Sequence, residues 1–268
     1  MVSGAAIASM WFTLLVSTVL PIVLLFIVCR HQRGFFGCAC AGILGFWVPQ
    51  VVIRMPLLQL PAVNAMLISL GSAGSSFVLA LTAGLFETTG RLLVFLLILK
   101  KARTWQSGVA AGIGHGWCEA VFLIGSSYIS NLYTAYLINS QGMKGLLAAG
   151  LNETTAQQVL ATFTATSPLA FLAAGTERIM TIAFHILASV LLLALIARGK
   201  TAAGFCIVWA LHTLFDCLVP LLNVLFQFPL AAIALELVLA AVFVFGIAYV
   251  RRLFPRPDTG PVSAPEFF

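Results

Sequence analysis

The stretch "GIGHGWCEAVFLIG", residues 112–125, lies inside an apolar segment, 106–127, long enough to cross a bilayer. It also carries His115 and Glu119, four residues apart. A charged side chain at the centre of a membrane helix costs roughly 2.5–3.5 kcal/mol on insertion scales. A segment this apolar keeps such a pair only where neighbouring groups offset that cost. Its reading therefore decides the fold and also points to where chemistry is to be sought.

The rest of the chain agrees with a membrane reading. Of 268 residues, 61% are hydrophobic and 8% are charged, whereas a soluble domain carries about 25% charged residues. The expected fold is all-α, a polytopic transmembrane bundle set among membrane lipids. Seven spans are expected, at about 5–28, 35–53, 76–99, 106–127, 169–197, 202–222 and 228–250. Residues 1–254 read as a single domain, with its motif-bearing core at 76–220. The Pro-rich tail 255–268, "PRPDTGPVSAPEFF", reads as disordered and cytoplasmic. The first apolar run has no basic residues before it and is too long for a signal-peptide core, so it should remain as a span. Residues 55–75 read as a connection with a short re-entrant or interfacial piece. In the longest connection, 128–168, "LNETTAQQVLATF" reads as an amphipathic helix capped by Asn152, and Pro168 marks the next start. The six cysteines form no CxxC pair and read as packing residues.

The basic residues set the orientation. The net charge of +6 does not argue for nucleic acid here, because its meaning lies in where the charges fall. Arg30, Arg33, Lys100, Lys101, Arg103, Arg198, Lys200, Arg251, Arg252 and Arg256 all follow odd-numbered spans. Only Arg54 and Lys144 lie at the opposite side, while Arg91 and Arg178 are within spans. The positive-inside rule then places the N-terminus outside and the C-terminus in the cytoplasm.

Five of the eight acidic residues and three of the four histidines fall within the spans. Counting from the basic anchors compares their depths. Glu87 precedes Lys100 by 13 residues, and His115 follows Arg103 by 12. His185 precedes Arg198 by 13, and His212 follows Lys200 by 12. At about 1.5 Å per residue all four lie roughly 18–20 Å from their anchors. Four helices thus deliver polar groups to one layer near the bilayer middle. Helical spacing also puts Gly108, Gly112, His115 and Glu119 on one stripe, and Glu87 with Arg91, Arg178 with His185, and His212 with Asp216 on others. Glycines on such a stripe let a neighbouring helix approach. Glu236 is also intramembrane but carries no motif and reads as structural, and Glu177 beside Arg178 reads as locking the fifth span.

The motifs "FETTGR" (86–91), "GIGHGWCE" (112–119), "ERIMTIAFH" (177–185) and "HTLFD" (212–216), in this order and spacing, resemble those of the YhfC family. These bacterial intramembrane peptidases are related to the PrsW and CAAX-type membrane proteases, and the resemblance covers spans 3 to 6. It implies a multi-pass protein of the bacterial plasma membrane that hydrolyses peptide bonds of transmembrane protein or peptide substrates. The resemblance assigns catalytic roles to Glu87, Arg91, Glu119, His185, His212 and Asp216. Thr88 stands where the superfamily has a second glutamate, which removes one carboxylate. A carboxylate in apolar surroundings suits a general base for water, with Glu87 the first choice and Glu119 the second. His185 and His212 would donate to the oxyanion. Asp216 would orient His212, Arg91 would hold Glu87, and His115 would assist water or substrate.

The favoured expectation is a glutamate-activated water with no cofactor. Zinc is the alternative, because three histidines and several carboxylates suit it and Glu87, Glu119, Glu177 and Asp216 outnumber Arg91 and Arg178 by two charges; against it, no HExxH helix is present. Intramembrane His/Glu/Asp sets also mark proton-coupled transporters, although no internal repeat supports that. A non-catalytic membrane scaffold is the remaining reading, which Thr88 keeps open.

Overall fold

The computed structural model describes residues 1–30, 34–225 and 229–254. The tail at 255–268, and with it Arg256, lies outside them, as does Arg33. Among the described residues all regular structure is helical. The first span is α1 (Gly4–Cys29), started by Ser3, whose hydroxyl accepts from the Ala6 amide. The second is α2 (Gly34–Phe46), which continues as a π-helical segment, Trp47–Arg54, into the short α3 (Met55–Leu58). Here α4 (Pro61–Ser69) fills the expected connection, and α5 (Gly71–Leu93) ends in a second π-helical turn, Val94–Ile98. Next come α6 (Trp105–Glu119), a π-helical segment Ala120–Gly125, and α7 (Ser126–Gln141). The short α8 (Met143–Ala148) and α9 (Glu153–Ala165) precede the long α10 (Pro168–Ala197), α11 (Thr201–Leu225) and α12 (Pro229–Val250). Seven helical stretches among the described residues are long and apolar enough to cross a membrane.

Three boundaries differ from the sequence expectation, the first being the second span, which continues past 53 to Leu58. The fourth span does not stop near 127 but runs as one stretch from Trp105 to Gln141. Ser126, Ser127, Asn131 and Ser140 lower its apolarity beyond 125, yet Tyr128, Ala135, Leu137 and Ile138 bury against Val2, Ala6 and Met10 at the start of the chain. Asn139 fastens this contact by accepting from the Val2 amide at 2.7 Å and donating to the Val2 carbonyl at 2.9 Å. Gly142, at φ 61°, ends the helix in a conformation that side chains disfavour. The third span begins at Gly71 rather than 76, because Gly71, also at positive φ, turns the chain directly from α4 into α5. Asn152 caps α9, accepting from the Thr155 amide at 2.8 Å, and Pro168 opens α10.

The most buried span is α10, which packs against α1, α6, α11 and α12. The stripe on α6 explains its close approach: a Cβ at Gly112 would stand 2.6 Å from Ile186 Cα. Several helix ends that carry basic residues meet. Arg198 donates to the Leu253 carbonyl at 2.9 Å, Trp105 donates to the Ile247 carbonyl at 3.0 Å, and Arg251 covers the Trp105 ring. This joins the end of α10, the start of α6 and the end of α12. The polar layer lies between that end and the opposite one.

Candidate active site

Helical spacing puts Glu87 and Arg91 on one face of α5, and His115 and Glu119 on one face of α6. His185 comes from α10, and His212 with Asp216 from α11. The residues converge on one atom. Glu87 Oε2 lies 3.0 Å from His115 Nε2, 3.6 Å from His212 Nε2, 4.0 Å from His185 Nδ1 and 3.6 Å from Arg91 Nη2. Glu87, Arg91, His115, His185 and His212 are each at most 3% exposed. Phe184 meets the rings of His185 and His212 edge-on and stacks on Phe215, while Phe46 meets His115 edge-on. These apolar contacts fix the imidazole planes.

Arg91 sets the tautomers. Its guanidinium contacts His185 Nδ1, and its Nη1 is 3.4 Å from His212 Nδ1. A guanidinium only donates, so both Nδ1 atoms accept and both protons sit on Nε2. The Nε2 of His185 then faces Glu119 Oε2, with which it makes a close contact. Arg178 donates to the other oxygen of Glu119 at 3.1 Å and also pairs with Glu177. His115 Nδ1 is buried with no hydrogen-bond partner among the described residues.

The structure therefore brings Glu87, Arg91, His115, Glu119, His185 and His212 into one cluster, with Asp216 at its edge. Asp216 Oδ2 is 3.5 Å from His212 Nε2, long for a hydrogen bond. The ring of His212 is held on its other nitrogen, by Arg91. Glu177 shares Arg178 with Glu119. Glu236 accepts from Thr176 at 2.5 Å, apart from the cluster. Thr88 is fully buried, and its hydroxyl has no partner among the described residues.

A cavity of about 340 Å³ opens beside the cluster, lined by Gln50, Arg54, Glu87, Glu119, His212 and Asp216. Gln50 and Arg54 were not singled out as site residues from the sequence, where Arg54 counted only as a basic residue at a span end. The available signal was their i, i+4 spacing, the same as in the other three polar pairs. With Arg54 included, the four carboxylates near the site exceed the three arginines by one charge if all ionise.

The donor set suits a divalent metal. Glu87, His115 and His185 each offer one ligand atom, and these atoms lie within 4.8 Å of one another. Tetrahedral zinc with bonds of 2.0–2.1 Å separates its ligands by about 3.3 Å, so only small shifts would close the three around one ion. Two imidazoles with one carboxylate is a catalytic zinc set, and the buried Nδ1 of His115 has no competing partner among the described residues.

Comparison with known proteins gives a consistent result. A Bacillus subtilis (strain 168) protein named "Uncharacterized membrane protein YhfC" is 33% identical over 179 residues, covering 65% of this chain and 67% of that protein. No solved structure matches. Residues 16–243 match the family described as YhfC intramembrane metalloprotease, a range that includes every residue of the cluster, and the chain belongs to that family.

Proposed function

We propose that the protein is a zinc-dependent intramembrane peptidase whose metal is held by Glu87, His115 and His185, with His212 beside them. The observation that carries this reading is the convergence of three imidazoles on a single buried carboxylate oxygen, at 3.0–4.0 Å. When bound, zinc supplies Lewis acidity that activates water and polarises the scissile carbonyl.

The chain's own residues do the rest. Glu119 borders the cavity, with a side chain 12% exposed against 4% for Glu87. Glu119 takes the proton of the attacking water as the C–O bond forms and the carbonyl oxygen becomes an oxyanion, and then passes it to the leaving nitrogen as the peptide C–N bond breaks. Arg178 keeps the other oxygen of Glu119 in place. The His212 Nε2–H, at the cavity wall, donates to the developing oxyanion. Arg91 orients the His212 imidazole through Nδ1, and its guanidinium would have to withdraw from His185 Nδ1 for that nitrogen to hold a metal. The apolar shell of Phe46, Phe184 and Phe215 keeps bulk water from the buried side.

One observation favours a metal-free variant: Arg91 places a cation against Glu87, His185 and His212. In that reading Glu119 and His185 activate water alone. Proteoliposomes incubated with a transmembrane-peptide library separate the two. Zinc-dependent hydrolysis stops on strong chelation and returns on zinc addition. Hydrolysis that survives chelation supports Glu119 with His185, and no cleavage of any peptide would remove the peptidase reading.

A further inference from the structure

A second, larger hollow lies on the other side of the helix pair that walls the active site. It is an apolar groove of about 520 Å³ between the second span and α5, lined among others by Leu44, Val48, Ile53, Phe86, Thr89 and Leu97. Leu44, Val48, Ile53 and Leu97 are exposed on the outer face of the bundle, within segments that cross the membrane. The polar cavity uses alternate residues of the same two helices. Ile53 faces the groove and Arg54 the cavity, and Phe86 faces the groove and Glu87 the cavity. Only one layer of helix separates the bilayer from the site.

That layer is close-fitting but unevenly fastened. At its floor a Cβ on Gly90 would stand 2.0 Å from the Gly45 carbonyl oxygen. Gly45 and Val94 line both the groove and a narrow crevice that reaches Arg91 and His115. The first half of the second span is packed hard on α6, where Cβ atoms on Gly42 and Gly114 would each stand 2.0 Å from a carbonyl of the other helix. Its second half, Trp47–Arg54, is π-helical, and so is the Val94–Ile98 turn opposite. Such turns break the i→i−4 ladder and recur where helices do work. The polar ties across this seam come from Arg54, which donates from Nε to Thr82 Oγ1 at 3.1 Å and from Nη2 to the Leu79 carbonyl at 2.7 Å. Arg54 is 8% exposed and makes no ion pair among the described residues. Glu87 and Asp216 line the same cavity without closing on Arg54, and its bonds to a hydroxyl and a carbonyl can be exchanged.

We propose that the seam between Trp47–Arg54 and α5 is a lateral gate, latched by Arg54, through which a transmembrane helix of a peptide substrate passes from the bilayer to the site. The proposal rests on the reading of that site as a peptidase. The occupant is an apolar peptide helix because the groove lies at membrane depth, its lining is apolar, and it shares Gly45 and Val94 with the lining that reaches Arg91 and His115. A lipid acyl chain shares the first two properties but offers no bond for the site to act on.

Two measurements test it. In proteoliposomes, a photocrosslinking side chain replaces Val48 or Leu97 at the groove, or Phe245 on the far, lipid-facing side of α12, and a single-span peptide is added. Capture of the peptide from the groove positions at least about ten-fold above Phe245, an occupancy difference of about 1.4 kcal/mol, is the expected result. Equal capture from all three, or capture of lipid alone, overturns the gate. This readout needs no hydrolysis, so it stands or falls separately from the peptidase reading. Where hydrolysis is measured, Val48→Trp and Leu97→Trp fill the groove from its exposed rim. They should lower kcat/KM for the single-span substrate about ten-fold or more, and leave unchanged the cleavage of a short soluble peptide with the same scissile bond. Equal loss for both substrates, or no loss for either, contradicts the gate.

Discussion

Glu87 and Glu119 are one residue type in one cluster, and their surroundings divide the work between them. Glu87 Oε2 is enclosed by three imidazoles and a guanidinium, the position of a ligand. Glu119 has one oxygen anchored on Arg178 and the other against His185, and the residue lines the cavity, the position of a base beside the substrate space. Glu119→Gln should therefore lower kcat by about 10²–10⁴-fold, the usual contribution of a general base, while zinc content stays near that of the native chain. Glu87→Gln should lose zinc and activity together. Zinc content and hydrolysis assayed on the same two preparations check the division; a Glu87→Gln protein that keeps both would reverse the roles. Arg178 also carries structure. Removing it leaves Glu119 and Glu177 without a counter-charge, and breaking a buried pair costs about 3–5 kcal/mol. Arg178→Met should accordingly lower the thermal midpoint sharply, as read by unfolding in detergent.

At the level of elements, the cluster depends on how closely α6 and α10 approach. A Cβ at Gly112 would press on Ile186 Cα at 2.6 Å, next to His185 in the chain. Gly112→Ala should push the helices apart and shift His115 against His185. A displacement near 1 Å at a catalytic constellation costs about 10²-fold in rate. Hydrolysis measured beside an insertion assay separates this from a failure to fold; unchanged activity would mean the approach is not needed. The layer itself was legible in the sequence, because membrane insertion penalises every stray polar group and Glu87, His115, His185 and His212 sit at matched distances from basic anchors. Other features carried no such mark. Ser and Asn residues hid the continuation of the fourth span through α7, whose burial against α1 is tertiary. Arg54 looked like an ordinary end-of-span cation because its partners, Thr82 and the Leu79 carbonyl, lie 28 and 25 residues away. The pairing of Glu119 with His185 of α10, rather than with His115 on its own helix, depends on rotamers that spacing does not determine.

Across the whole molecule, the ends of α6, α10 and α12 gather their basic residues at one end, while the Val2–Asn139 clasp lies at the other. By the positive-inside rule the first of these is expected to face the cytoplasm. Cysteines placed at Lys101, Lys200 and Arg252 should resist membrane-impermeant reagent in intact cells, and one at Lys144 should react; the reverse pattern would invert the bundle. A metal shared by Glu87, His115 and His185 would also join α5, α6 and α10, so binding and bundle stability should be linked, as for other sites assembled only on folding. Elemental analysis of the purified native protein beside His115→Ala is the most direct test of the central claim. About one zinc per native chain and little in the variant is the expected result, with hydrolysis following the zinc. A fully active native protein with no stoichiometric zinc would contradict it and leave Glu119 with His185 as the catalytic pair.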